Sequence, residues 1–80
     1  MTTEETIKKI IAETLEVDLE KITDDLAING IEEWNSIGNV AIITALEEKL
    51  GINFPIEDLF DLTSVESIVA EIAKLEKENA

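Results

Sequence analysis

The sequence predicts an all-α fold, a four-helix bundle in which a long loop joins helices 1 and 2 and helix 3 is short. Three observations favour it. Apolar residues recur at helical spacing in separate segments, capping patterns precede two of those segments, and the single proline lies between helical segments. With only 80 residues, the chain is predicted to form one domain, residues 1–80, with helices at about 3–16, 36–50, 56–61 and 64–77.

The first predicted helix opens with a capping box at residues 2–5, in which Thr2 accepts a backbone hydrogen bond and Glu5 reaches back. The apolar residues that follow share one helical face: Ile7, Ile10, Ile11 and Leu15. From residue 17 to 35 no period holds, which predicts a long loop. Such loops are usually functional or packed by their own side chains, and the Asn29-Gly30 pair predicts a tight turn within this one.

The remaining helices follow from their boundary signals. Helix 2 is predicted to begin at Ser36 and to end near Leu50, because Gly51 adopts the left-handed conformation without a steric penalty. Pro55 then keeps the preceding residue extended, and a helix of one to two turns follows. A second capping box at residues 63–66 begins helix 4, which continues with regular amphipathic spacing.

The composition excludes several classes of function. A net charge of −13 repels nucleic acids and anionic lipids but attracts enzymes that present basic patches. The chain has no cysteine and no histidine, so His/Cys metal sites are excluded and a serine nucleophile would lack its usual base. We therefore predict a protein that is not an enzyme and binds no metal. The lack of a signal peptide or a membrane-spanning segment, with the lack of cysteine, predicts a cytoplasmic location.

Ser36 is the main candidate functional residue, because it stands where the loop becomes helix 2. One interpretation is that Ser36, or Asn35 beside it, only caps the helix by accepting a backbone N–H. The other is that the Ser36 hydroxyl carries a phosphodiester, which the dipole and the free N–H groups of a helix N-terminus favour. Both interpretations can hold together.

Four segments, taken in order, carry a family resemblance: Trp34-Asn35-Ser36-Ile37, the second helix up to Ala45-Leu46-Glu47-Glu48-Lys49-Leu50-Gly51-Ile52, Phe54-Pro55-Ile56, and Asp61-Leu62-Thr63-Ser64-Val65. With these segments the whole chain resembles an acyl carrier protein of the phosphopantetheine-binding family. The resemblance implies that Ser36 accepts a covalent 4′-phosphopantetheine arm from a phosphopantetheinyl transferase. Acyl groups would then travel as thioesters on the thiol of the arm.

The resemblance also implies sites for partners and cargo. Helix 2 would be a docking surface for the transferase and for acyl-loading and acyl-processing enzymes with basic patches, and the carrier would be a monomer. The predicted partner-binding residues are Trp34, Asn35, Ile37, Val40, Glu47, Glu48, Glu57 and Asp58. The predicted acyl pocket is formed by Val40, Ile43, Leu46, Leu62 and Ile68, each of which also fits an ordinary core position.

The sequence departs from the family pattern beside the serine. Asn35 replaces the usual aspartate, and helix 2 begins with neutral residues where carboxylates are common. The resemblance implies a role in fatty-acid, polyketide or other specialised acyl-transfer biosynthesis. These departures and Trp34 favour a specialised pathway, such as polyketide or sugar-acyl synthesis or aminoacyl transfer resembling that of D-alanyl carriers, over housekeeping fatty-acid synthesis. Trp34 either packs under the loop or contacts partner enzymes. The alternative function is an acidic helical interaction module in which Ser36 is only a cap.

Overall fold

Three α-helices and two short 3₁₀ helices make up the fold in a computed structural model that describes residues 2–78. The α-helices are α1 (Glu4–Leu15), α2 (Ser36–Leu50) and α3 (Val65–Glu78), and the 3₁₀ helices are Leu19–Lys21 and Ile56–Asp61. This confirms the all-α prediction, with the predicted short third helix in 3₁₀ form. None of the helices formed by residues 2–78 combines the length and the apolarity needed to cross a membrane.

Both predicted capping boxes lie one residue later than expected. At α1 the cap is Thr3, whose Oγ1 accepts the Thr6 N–H at 3.1 Å, whereas Thr2 donates its N–H and its hydroxyl to the Glu76 carboxylate. At α3 the box is formed by Ser64 and Ser67, because each hydroxyl oxygen accepts the backbone N–H of the other residue at 3.1 Å. The Thr2 contact ties the start of the described chain to α3.

The core lies between the three α-helices, with α1 packed against both α2 and α3. Its largest fully buried side chains are Trp34, Ile7, Ile11, Ile42, Leu46, Ile68, Ile72 and Val65. Full burial of one aliphatic side chain contributes about 1.5–3 kcal/mol. This set draws on every α-helix and on the loop, so the loop forms part of the core.

The long loop is held to the start of α3 by backbone hydrogen bonds. Ile28 donates its N–H to the Thr63 carbonyl at 2.7 Å, and Val65 donates to the Leu26 carbonyl at 2.9 Å. Leu26 is also buried in the core. Because backbone and side chain are both anchored, the loop delivers its last residues to the start of α2 in a fixed position.

The predicted tight turn is present at Asn29 and Gly30. Asn29 has a φ of 68°, a conformation that asparagine tolerates better than most residues, and Gly30 donates its N–H to the Ala27 carbonyl at 2.8 Å. A Cβ on Gly30 would lie 2.9 Å from that same carbonyl oxygen. Glycine is therefore required for the turn to close.

Candidate functional site

Ser36 is the first residue of α2, and the helix cap is its neighbour Asn35. Asn35 has an extended backbone, and its Oδ1 accepts the Gly38 N–H at 2.8 Å. Ser36 is exposed, and its hydroxyl makes no hydrogen bond to any of residues 2–78. Of the two cap candidates left open by the sequence, the structure thus selects Asn35 and leaves the Ser36 hydroxyl available for chemistry.

Asn35 is suited to this position in a way that aspartate is not. While its Oδ1 caps α2, its Nδ2 points to the Glu32 carbonyl oxygen at a long distance of 3.5 Å. An ionised aspartate has two acceptor oxygens and no donor, so it would keep the cap but lose the contact with Glu32. The departure from the usual aspartate therefore preserves the cap and adds a contact with the loop.

Trp34 holds the loop against α2 from inside the molecule. Its side chain is 0% exposed, and its indole Nε1 donates a hydrogen bond to Asn39 Oδ1 at 2.8 Å. Its backbone is also bonded, because its carbonyl accepts the Asn29 N–H at 2.6 Å. The predicted contact of Trp34 with partner enzymes is wrong, since a side chain buried in the core has no surface to offer. Its packing interpretation is the one that agrees with the structure.

Gly38 allows the loop to lie directly on the first turn of α2. A Cβ at this position would come within 2.5 Å of the Glu33 carbonyl oxygen and 3.1 Å of Leu15 Cδ2. The sequence showed Gly38 only as a neutral residue where a carboxylate is common. Its spatial role depends on how the loop crosses the helix, and no local pattern reports that crossing.

The start of α2 fits a phosphodiester on Ser36. The first N–H groups of an α-helix lack intrahelical partners, and the helix dipole places partial positive charge there. The first turn of α2 contains no acidic residue, so no carboxylate within the turn would repel a phosphate. The exposed hydroxyl at a helix N-terminus is therefore compatible with a 4′-phosphopantetheine arm, which would supply the thiol that this cysteine-free chain lacks.

An open groove of about 450 Å³ runs between α2 and the 3₁₀ helix Ile56–Asp61. It is lined by Asn39, Val40, Ile43, Thr44, Glu47, Ile56, Leu59 and Phe60. Of the predicted acyl-pocket residues, Val40 and Ile43 line this groove. Leu46, Leu62 and Ile68 do not, and their side chains are no more than 2% exposed within the core. Their burial agrees with the alternative that they are ordinary core residues, and their role in an acyl pocket stays a prediction.

Several large apolar side chains at or beside the groove are exposed to solvent. Ile37 is 82% exposed and Val40 65%, while Ile56 is 77% and Phe60 87% exposed. Ile56 and Phe60 were not among the predicted site residues. The sequence did indicate that this helix exposes an apolar side chain, because Leu59 and Phe60 are adjacent in a short helix and cannot both face the core. We call Ile37, Val40, Ile56 and Phe60 the apolar ridge.

The predicted acidic partner contacts divide into two kinds. Glu48 and Glu57 are exposed, so both are available to a basic partner. Glu47 instead accepts the Phe54 N–H at 2.9 Å through Oε2, and Asp58 lies 3.9 Å from the Lys74 ammonium group. These two carboxylates have intramolecular partners. Within residues 2–78 no group of three or more His, Cys, Asp or Glu side chains is arranged to hold a metal ion.

A buried carboxyl group lies behind the 3₁₀ helix that forms one wall of the groove. Glu71 on α3 is only 9% exposed, and its Oε2 has no hydrogen-bond partner among residues 2–78. Burial raises the pKa of Glu71, and the Asp58 carboxyl raises this pKa further. Lys74, which opposes the shift, and Glu78, which adds to it, are the other charges that face this carboxyl group. The ion pair between Asp58 and Lys74 links the 3₁₀ helix to α3.

Comparison with known proteins agrees with this geometry. Residues 5–72 match the family described as "Phosphopantetheine attachment site". The chain is also 36% identical over 73 residues to meromycolate extension acyl carrier proteins of Mycobacterium tuberculosis and Mycobacterium bovis. The match covers 91% of this chain and 64% of each relative, so the chain spans somewhat less than two thirds of their length. The chain therefore belongs to the phosphopantetheine-binding family of acyl carrier proteins.

Proposed function

We propose that Ser36 is the attachment site of 4′-phosphopantetheine and that this chain carries acyl groups as thioesters between enzymes. The observation that carries the proposal is the division of roles at the start of α2, where Asn35 caps the helix and the Ser36 hydroxyl stays free and exposed. In the transfer, the Ser36 oxygen bonds to the pantetheine phosphate of coenzyme A. The 3′,5′-bisphosphorylated adenosine leaves, and the transferase takes the hydroxyl proton.

The chain offers no catalytic group of its own for this chemistry. It contains no histidine, and Lys49 lies in the last turn of α2, opposite to Ser36. We therefore propose a carrier and not an enzyme, formed by the single domain predicted for residues 1–80. The name of the mycobacterial relatives, which refers to meromycolate extension, supports an acyl group as the cargo. The pathway, the monomeric state and the cytoplasmic location stay predictions.

We further propose that partner enzymes dock on the apolar ridge, with Glu48 and Glu57 as the acidic groups near it. A docking surface of exposed apolar residues with a charged margin is typical of protein interfaces. Ile37→Ser should lower kcat/KM for a phosphopantetheinyl transferase without changing the melting temperature, since Ile37 is 82% exposed. An equal kcat/KM in the variant and the parent would remove Ile37 from the docking surface.

The attachment is tested by intact mass after incubation with coenzyme A and a broad-specificity phosphopantetheinyl transferase. The parent should gain the mass of one phosphopantetheine group, and Ser36→Ala should gain none. Ser67→Ala is the matched control, because it removes another serine hydroxyl far from α2 and should retain the increment. No increment in the parent with several transferases would contradict the proposal and leave an acidic interaction module.

A further inference from the structure

Asn39 lies at the junction between the candidate attachment site and the groove. It follows Ser36 by three positions on α2, so the two side chains are neighbours on one side of the helix. Helical side chains lean toward the N-terminus, and that tilt carries the Asn39 side chain back over the turn that begins at Ser36. Asn39 also lines the groove. Asn39 thus borders both the candidate attachment site and the groove.

The amide of Asn39 has a fixed orientation. The indole N–H of Trp34 is only a donor, so the atom that it contacts at 2.8 Å must be the amide oxygen of Asn39. The NH₂ group therefore faces away from Trp34. Among residues 2–78, the Asn39 Nδ2 donates to no acceptor. The buried Trp34 holds this amide in place while the two N–H bonds of Nδ2 remain free.

The other polar side chains of the groove are already engaged. The Thr44 hydroxyl donates to the Val40 carbonyl at 3.0 Å, and the Glu47 carboxylate accepts the Phe54 N–H. The remaining lining residues are apolar. Among the groove-lining side chains of residues 2–78, Asn39 is thus the one whose N–H donors lack an acceptor. A ligand with an acceptor oxygen near its point of entry and an apolar remainder would match this pattern.

We propose that the Asn39 NH₂ group donates a hydrogen bond to an oxygen of the phosphopantetheine arm and thereby seats the inner part of the arm in the groove. The inference rests on the proposed attachment at Ser36. Two kinds of oxygen share the required chemistry, namely the phosphate next to Ser36 and the first amide carbonyl of the arm. Asn39 is then a binding residue for the arm, and Trp34 is a positioning residue that acts through it.

The first measurement compares the apo and holo forms of the unaltered chain by NMR. The side-chain NH₂ signals of Asn39 should move on modification, together with the methyl signals of Val40, Ile43 and Ile56. The ³¹P signal of the arm is then compared between the parent and the Asn39→Asp variant. A different ³¹P signal in the variant identifies the phosphate as the acceptor, and an unchanged signal identifies the amide carbonyl. Unmoved Asn39 signals in a fully modified sample would overturn the proposal.

The second measurement uses Asn39→Asp, which keeps an oxygen for the Trp34 indole but replaces the donor by an acceptor. The holo variant should melt near the parent temperature. Measured at about 1 M salt, which screens the repulsion between the new carboxylate and the phosphate, its equilibrium constant for the seated arm, derived from the methyl shifts, should fall about 2- to 10-fold, as for one lost hydrogen bond. The matched control is Asn53→Asp, which adds the same charge at an exposed position outside the groove lining and should leave the constant unchanged. An unchanged constant in Asn39→Asp would contradict the inference.

Intact mass separates this inference from the proposed function. If the parent gains no phosphopantetheine, the attachment proposal fails before Asn39 is tested. If Ser36 is modified and the Asn39 signals and the seating constant do not change, only the role of Asn39 is lost.

Discussion

α1 and α2 are similar in length but differ in where their apolar side chains lie. In α1 every large apolar side chain is buried, and the polar residues lie outside. In α2 only Ile42 and Leu46 are buried, while Ile37 and Val40 on another side are largely exposed. Both helices contact each other through their buried sides. α1 thus directs its large apolar side chains to the core, whereas α2 joins a buried side to an open side next to Ser36.

The difference teaches where to look for function in a small bundle. An amphipathic helix such as α1 satisfies its apolar surface within the fold. A helix that is apolar on more than one side and lies at the surface leaves apolar area exposed, and such area marks an interaction site. In this chain the exposed area lies beside the candidate attachment serine, and the 3₁₀ helix Ile56–Asp61 extends it with Ile56 and Phe60.

The largest expected effect comes from truncating the two sides of α2 separately. Leu46→Ala should cost about 2–5 kcal/mol of unfolding free energy, because Leu46 is fully buried and its removal leaves a cavity. Val40→Ala, on the open side, should cost less than about 0.5 kcal/mol. Urea unfolding of the apo protein measures both values. Similar losses of unfolding free energy in the two variants would contradict the contrast between the buried side and the open side of α2.

Gly38 gives an intermediate effect and tests how closely the loop lies on α2. Gly38→Ala should destabilise the protein by about 1–3 kcal/mol, because the new methyl group would overlap the Glu33 carbonyl oxygen at 2.5 Å. Ile37→Ala changes an exposed side chain of the same turn and serves as the control, with a loss below about 0.5 kcal/mol. A stabilised Gly38→Ala, as helix propensity alone would give, would show that the loop moves aside.

The smallest effect concerns Glu71, which lies behind the 3₁₀ wall of the groove. Its pKa is raised above the ordinary value of 4.5, so the folded state favours the protonated carboxyl. Its contribution to stability is therefore complete below pH 4.5 and is lost as the pH rises through the raised pKa. The free energy of unfolding of Glu71→Gln should match that of the parent at acid pH and exceed it near neutral pH. Thermal melts across this range measure the difference.

The control for that series is Glu48→Gln, which removes an exposed carboxylate from α2. General relief of the net charge of −13 would stabilise both variants alike. If the two profiles coincide, the burial of Glu71 has no separate influence on the stability of the protein.

The fold could be predicted from the sequence because helical periodicity and stop signals are local. The predicted bounds of α2, 36–50, agree with Ser36–Leu50, and the short helix at 56–61 agrees with Ile56–Asp61. The caps were each displaced by one residue at α1 and α3. Neighbouring Thr and Ser residues are chemically equivalent caps, and only the backbone angles decide which one takes the role.

The candidate site was less predictable, since its exposure depends on tertiary packing. The sequence pattern of an apolar residue on a central helix is the same whether its side chain faces the core, as that of Leu46 does, or the groove, as that of Val40 does. Trp34 shows the same limit, because burial and partner contact both use large aromatic side chains. The Trp34–Asn39 hydrogen bond joins the end of the loop to the helix, and the spacing of the two residues gave no sign of it.

The hydrogen bond that caps α2 is made by Asn35 and leaves the neighbouring serine out of the cap. Because that bond uses no atom of Ser36, a phosphodiester attached to Ser36 would leave the cap intact. Partner enzymes would then meet the bare and the modified protein with the same start of α2.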